Sequence, residues 1–524
     1  MSAEEDKRWP SRTGFLLAAM GSAMGLGNVW RFPYMAYKYG GGAFLIPYLI
    51  ALFTTGIPLL ALEMGVGKNM QRSPPFAFMR MNKKWSWLGW FMLFLNFIIV
   101  SYYTVVIGWS VTYMGKSLTL AWGSNPESHF FNEFVGRTSG PGTLGGIDPG
   151  LLIVLLAVWG LMYWIVLKGV DRVSKVVKLT VPLPMLLIVF LAIRSLTLPG
   201  ADVGLEYYLS PNMAALGDPE VWLAAYSQVF FTLSLAGGTM IAYSSRLPDD
   251  SDVNNNAHIV SLTDAGLAFF AGLVVFSTVG YLAASTGQSV ETVVDSGPAL
   301  AFAVYPTTIS LLPAGAALFG FLFFLTLFLL GIDSAFAIVE AVQMGFKEAG
   351  MNEVKVLKAL TFIGILAGIF FGSGGGYHWL QIIDQFFNEI GLISIGIFEC
   401  IVVAYFFGPD KFMKMSNRTS EVKLGIWWKR SIMYITPLVL TVIVIARIIE
   451  SLMHGYEDYP SWSILLGGWL PLIALIISAY FLMQKWQKPA KEYEFDELPE
   501  SEDQVQEQPE EIKKVIAEEV KDEP

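Results

Sequence analysis

The sequence predicts an all-α polytopic membrane protein: twelve transmembrane helices, ten of them forming two inverted repeats of five, with helices 1 and 6 broken. Three observations carry that expectation. Of 524 residues, 54% are hydrophobic and only 15% charged, against about 25% charged in a soluble domain. Twelve segments stay apolar for about the 20 residues that a bilayer crossing needs. The first and sixth of these interrupt themselves at mid-length with glycines and small polar residues.

The spans are read at about 14–37, 42–68, 87–117, 150–168, 178–197, 221–245, 258–285, 314–346, 356–372, 379–407, 430–450 and 462–485. They are continuously apolar and lack period-two alternation, which excludes a membrane barrel. A mean hydropathy of +0.53 excludes a water-soluble enzyme. Residues 1–12 are charged and are followed by no small-residue cleavage site, so no signal peptide is expected. Basic residues choose the cytoplasmic side. They cluster before span 1 (Lys7, Arg8, Arg12), between spans 2 and 3 (Arg72, Arg80, Lys83, Lys84), between 4 and 5, between 8 and 9, and between 10 and 11. Both termini are therefore expected in the cytoplasm of a cell whose plasma membrane holds the protein. Arg246, among Asp249, Asp250 and Asp252, fits that rule least well. The sequon at Asn417 falls on the cytoplasmic side and is expected to be unmodified. Two long loops, about 118–149 and 286–313, lie opposite and have the length of lids.

The net charge of −10 belongs to one segment. Residues 491–524 hold 14 acidic residues and 4 lysines, so the rest of the chain is neutral. No basic patch points to nucleic acid. The domain reading is a cytoplasmic segment 1–13, a core 14–410 with repeats at about 14–197 and 221–407, helices 11 and 12 within 411–486, and a disordered acidic tail 487–524. The tail is a solubilising charge run or a segment that turns helical on binding, and transport is expected to survive its deletion. One cysteine, Cys400, excludes an internal disulfide, and four scattered histidines lack metal-ligand spacing.

Span 1 reads Gly21-Ser22-Ala23-Met24-Gly25-Leu26-Gly27-Asn28 and span 6 reads Phe231-Thr232-Leu233-Ser234-Leu235-Ala236-Gly237-Gly238. Small residues serve tight helix packing or an unwound stretch around a cavity. Their occurrence in the first helix of each five-helix half points to the second, a transporter with its site at the membrane midplane. Glu63, Asp264, Asp333, Asp384, Glu389 and Glu399 fall inside spans, where a carboxylate is costly unless paired or cation-bound. Asp333-Ser334 suits a hard monovalent cation, or a distant Lys or Arg. Glu399 fits a helix-to-helix hydrogen bond.

Gly25-Leu26-Gly27-Asn28-Val29-Trp30-Arg31-Phe32-Pro33-Tyr34, with Gly40-Gly41-Gly42-Ala43-Phe44, resembles the neurotransmitter:sodium symporter family. Ile193–Ala201, Phe231–Leu235 and Gly331–Ala337 are similar to its further signatures, and the likeness covers about residues 9–485. It implies the leucine-transporter fold, and one or two Na+ ions entering with a small organic substrate by alternating access, with no enzymatic activity. The resemblance assigns a first sodium site to Ala23, Asn28, Thr232 and Asp264, where Asp264 replaces the more usual Asn. A second falls to Gly21, Met24, Leu330, Asp333 and Ser334. It implies a substrate pocket of Ser22, Ala23, Leu26, Gly27, Ile99, Tyr103, Phe231, Thr232, Ser234, Gly237, Ser334 and Ile338. The amides of Leu26 and Gly27 would hold a carboxylate, Gly25 stands against monoamines, and Gly237 should enlarge the pocket.

The expected substrate is thus a neutral amino acid, large and apolar or aromatic. Tyr48, Gln228 and Thr232 match the family's chloride ligands, but Ala268 lacks the last hydroxyl and Asp264 lies close, so chloride independence is expected. For the outer gate the likeness implies an Arg31–Asp384 pair over Tyr103 and Phe231. For the inner one it implies Trp9 and Glu348, with Asp6 and Arg246 either a charge-swapped latch or unrelated surface residues. Uptake of an osmolyte or a β- or γ-amino acid, and a non-transporting amino-acid sensor, stay open as alternatives.

Overall fold

The computed structural model describes residues 8–290 and 297–486. Fourteen helices carry the description: α1 Arg12–Ala23, α2 Arg31–Lys38, α3 Gly42–Met70, α4 Lys83–Ser117, α5 Pro149–Val166, α6 Val170–Leu196, α7 Pro219–Thr232, α8 Thr239–Ser244, α9 Val253–Thr286, α10 Ala316–Glu348, α11 Glu353–Phe371, α12 Gly376–Phe407, α13 Ile426–Met453 and α14 Ser461–Lys485. No strand occurs among the described residues, whose only β-type pairings are the isolated bridges Gly41–Pro211 and Ile147–Ser373. Among the described residues ten helices, α3–α6 and α9–α14, are long and apolar enough to cross a membrane. The other two expected spans are each a pair of shorter helices, α1 with α2 and α7 with α8. With ten apolar membrane helices, this is a multi-pass membrane protein.

Apolar residues on the outer helices are exposed where a soluble protein would bury them. Leu186 and Phe190 on α6, Leu438 on α13 and Ile473 and Phe481 on α14 are 50–67% exposed, which suits lipid rather than water. The interior is built on α4 and α10, each other's most extensive neighbours. Small residues let the backbones approach. A Cβ at Gly331 of α10 would meet Ile107 Cγ1 of α4 at 2.7 Å, and one at Gly345 would overlap Leu93. The fifth expected span, α6, begins early, at Val170 rather than 178. Val173 and Val177 continue its buried stripe among Arg172, Lys175 and Lys178. The two long loops are partly helical: Pro126–Ser128 and Tyr305–Leu311 are short helices, and Phe130 stacks on Phe302 with ring centroids 5.2 Å apart. Asn417 clamps its own loop, accepting from Leu424 N at 2.7 Å and donating to Leu424 O at 2.9 Å.

Candidate functional site

Both interruptions come from backbone that cannot continue a helix. α1 stops at Ala23, Met24 is extended (φ −67°, ψ 109°), and Gly25 is extended again before a single tight turn over Leu26–Asn28. After α7, Ser234 (φ 51°), Ala236 (φ 61°) and Gly238 (φ 73°) take the left-handed conformation. For Ser234 and Ala236 that costs roughly 1–2 kcal/mol each. Neighbouring side chains offset the cost by satisfying freed backbone groups. Glu63 accepts from Ala236 N at 2.7 Å, Ser234 Oγ donates to Ser22 O at 3.0 Å, and Asn28 Oδ1 accepts from Gly25 N at 2.9 Å.

Two oxygen-rich clusters sit against the breaks. In one, Asp264 of α9 accepts from Asn28 Nδ2 at 2.8 Å and from Thr232 Oγ1 at 3.0 Å, all three fully or almost fully buried. Ala23 O lies beside Gly25. In the other, Ser334 Oγ stands 3.2 Å from Gly21 O, 3.3 Å from Ser22 O and 3.5 Å from Leu330 O. Asp333 presses on Gly21, and its Oδ1 is buried without a partner. Met24, the buried residue that caps the end of α1, follows Gly21 and Ser22 in the chain. Among the described residues no Lys or Arg pairs with Asp264 or Asp333; the ion pairs of the core lie elsewhere. A buried carboxylate oxygen with no donor, next in sequence to a hydroxyl that faces three carbonyl oxygens, fits a hard cation.

A cavity of about 1100 Å³ opens from the breaks toward the 137–143 and 456–460 segments. Its floor is lined by Ser22, Ala23, Leu26, Gly27, Tyr103, Phe231, Ser234 and Ser334, with Ile99 and Ile338 on its apolar wall. Tyr103 OH accepts from Leu26 N at 3.2 Å, and Phe231 packs so closely on Gly27 that a Cβ there would overlap its ring. The room expected at Gly237 is not open. Asn96 fills it, donating from Nδ2 to Gly237 O, and a Cβ at 237 would overlap that amide. A lone Asn in an apolar helix carries no motif, and the sequence reading missed it.

The gates differ from expectation in their partners. Arg31 lies over the Phe231 ring, 4.4 Å from its centroid, but its ion pair is with Glu389, not Asp384. Glu389 also accepts from Ser227 Oγ at 3.0 Å and lies 3.5 Å from Arg447 Nε. Asp384 is held instead by Tyr102 OH at 2.7 Å and Asn388 Nδ2 at 2.8 Å. The physical reason is charge balance: two guanidiniums and a hydroxyl surround Glu389, whereas among the described residues Asp384 has only neutral donors in contact. On the other side of the breaks, Trp9 is buried and donates from Nε1 to Tyr243 O at 2.8 Å. Arg246 pairs with Glu340 of α10, a residue missing from the sequence-derived set of membrane acids. Asp6, its expected partner, lies outside the described residues. Glu348 accepts from Ser73 N at 3.0 Å and Ser73 Oγ at 2.7 Å. Near Asp264, the hydroxyl of Tyr48 and both amide atoms of Gln228 are buried without partners, and Ala268 is fully buried.

A family model described as the sodium:neurotransmitter symporter family matches residues 6–133 and 121–488. An uncharacterized sodium-dependent transporter of Methanocaldococcus jannaschii is 40% identical over 487 residues, covering 93% of this chain and 99% of the relative. A sodium- and chloride-dependent taurine transporter of Bos taurus is 30% identical over 90% of this chain and 83% of its own length. The sodium- and chloride-dependent GABA transporter 2 of Homo sapiens is 31% identical over 90% of this chain and 85% of its own length.

Proposed function

The chain belongs to the sodium:neurotransmitter symporter family, and from that premise we propose that it imports a neutral amino acid, large and apolar or aromatic, together with one or two Na+ ions. Membership makes it a sodium-dependent membrane transporter and not an enzyme. The observation that supports the sodium part of this reading is the pair of carboxylates, Asp264 against Asn28 and Thr232 and Asp333 against Gly21, with no basic partner among the described residues. Asp264 with Ala23, Asn28 and Thr232 forms the first sodium site of this proposal. Asp333 with Gly21, Met24, Leu330 and Ser334 forms the second. Sodium at the first would stand beside the substrate carboxylate, which the break amides and Tyr103 receive; the carbonyls of the second break take the ammonium. Each ion then stabilises the substrate-loaded state, which is the physical content of coupling.

In this reading the broken pairs α1–α2 and α7–α8 bring the count to twelve spans, in repeats 14–197 and 221–407, with both termini cytoplasmic. The outer gate is Arg31 with Glu389, and Asp384 as a second station. The inner gate is Trp9, Arg246–Glu340 and Ser73–Glu348. Transport is proposed to be independent of chloride. Asp264 already supplies a negative charge to Thr232, and Ala268 offers no hydroxyl. The unpartnered Tyr48 and Gln228 side chains, and the chloride-dependent relatives, argue the other way.

The taurine and GABA transporters among the relatives favour a second reading, a β- or γ-amino acid substrate. A sodium-dependent binding screen of the twenty amino acids with betaine, taurine and γ-aminobutyrate separates the two. Binding of large neutral amino acids supports the first; binding of only taurine, γ-aminobutyrate or betaine overturns it.

A further inference from the structure

Asn96 stands on α4 one turn before Ile99 and seven residues before Tyr103, a spacing that keeps all three on one helix face. All three line the cavity. Tyr103 marks the end where Leu26 N is held. At 1.5 Å per residue, seven residues span about 10 Å along the helix axis, the scale of an aromatic amino acid with a hydrogen bond at each end. Asn96 therefore stands where the far end of such a side chain would lie.

The chemistry of its amide is fixed. Gly237 O can only accept, so the group that meets it is Nδ2. That leaves Oδ1, an acceptor, and the second Nδ2 hydrogen as what the amide can offer to an occupant, and only Oδ1 can receive a ring N–H. Thr239, two residues past Gly237, lines the same cavity, while Ile99, Leu235 and Ile338 make the rest of this wall apolar. Asn96 is itself only 5% exposed. A wholly hydrocarbon side chain pressed against it would strip water from the acceptor and give nothing back.

We infer that Asn96 is a specificity-determining residue that selects aromatic amino acids with a hydrogen-bond donor on the ring, a phenol hydroxyl or an indole N–H, over phenylalanine. The inference rests on the amino-acid reading above. Hydrogen bonding to a buried acceptor supports a preference of about tenfold.

The test is sodium-dependent binding of labelled tyrosine and labelled phenylalanine to the full-length protein in lipid, for wild type and Asn96→Leu. Leucine keeps the branched outline, though it is larger, and removes the acceptor together with the Nδ2 donor to Gly237 O. Wild type should prefer tyrosine about tenfold, and Asn96→Leu should bring the ratio to one or below. Equal binding of the two by wild type overturns the inference, as does an unchanged ratio in the variant. If Asn96→Leu does not fold, the wild-type ratio still decides against it when equal, and Asn96→Ala supplies the second ratio. If neither amino acid binds and taurine or γ-aminobutyrate does, the amino-acid reading itself has failed.

Discussion

Glu389→Gln is the substitution that probes the outer gate most directly. Arg31 and Glu389 make an ion pair with side chains only 17% and 8% exposed. Ser227 donates a second hydrogen bond to the carboxylate at 3.0 Å, and Arg447 stands 3.5 Å away with its side chain 29% exposed. Two unit charges about 4 Å apart attract by about 4 kcal/mol at the effective dielectric of a partly wet site. Desolvation of both groups reduces the net value, so the Arg31–Glu389 coupling should be about 2–3 kcal/mol, within the range measured for close pairs. That equals roughly 30- to 150-fold in an equilibrium constant. The assay is a double-mutant cycle on unfolding free energy in lipid bicelles, using Arg31→Gln, Glu389→Gln and the double variant, with a parallel cycle for Asp384→Asn. Arg31 and Asp384 should couple by less than about 1 kcal/mol, because Asp384 is held by the neutral donors Tyr102 and Asn388. A coupling to Asp384 equal to or larger than that to Glu389 would refute the assignment.

Other outcomes follow from the same geometry. Asp333→Asn should raise the sodium concentration for half-maximal binding by at least about tenfold, or about 1.4 kcal/mol, with the fold retained by circular dichroism; unchanged sodium activation would remove Asp333 from the second site. Arg246→Glu and Glu340→Arg should each lower transport about tenfold or more, and the exchanged pair should recover most of it; no recovery in the double variant would make the contact incidental to gating. Replacing chloride by gluconate at constant sodium should leave uptake within about twofold, whereas its loss would show that Tyr48 and Gln228 serve an anion after all.

The membrane class and the two breaks were legible because they are local: apolar length and paired glycines state them within 30 residues. Partner choice was not. Asp384 and Glu389 lie five residues apart on one helix, and nothing in the sequence ranks them for Arg31, 358 positions from the residue it chose. Arg447, on α13, decides the matter by adding a second positive charge beside Glu389. Asn96 escaped for a similar reason. Its meaning comes from Gly237 O, 141 positions away, which only an unwound helix leaves without a donor. Glu340 was hidden because an acid in an apolar helix shows its role only when Arg246 is placed against it.

The central claim is that sodium bound at the breaks drives amino-acid accumulation. Proteoliposomes holding the purified chain, given an inward sodium gradient, measure it in one step. Labelled large neutral amino acid should rise above its external concentration and fall back as the gradient decays, and Asp333→Asn should abolish the overshoot. Sodium-dependent binding with no accumulation and no counterflow would contradict the account and leave a sensor.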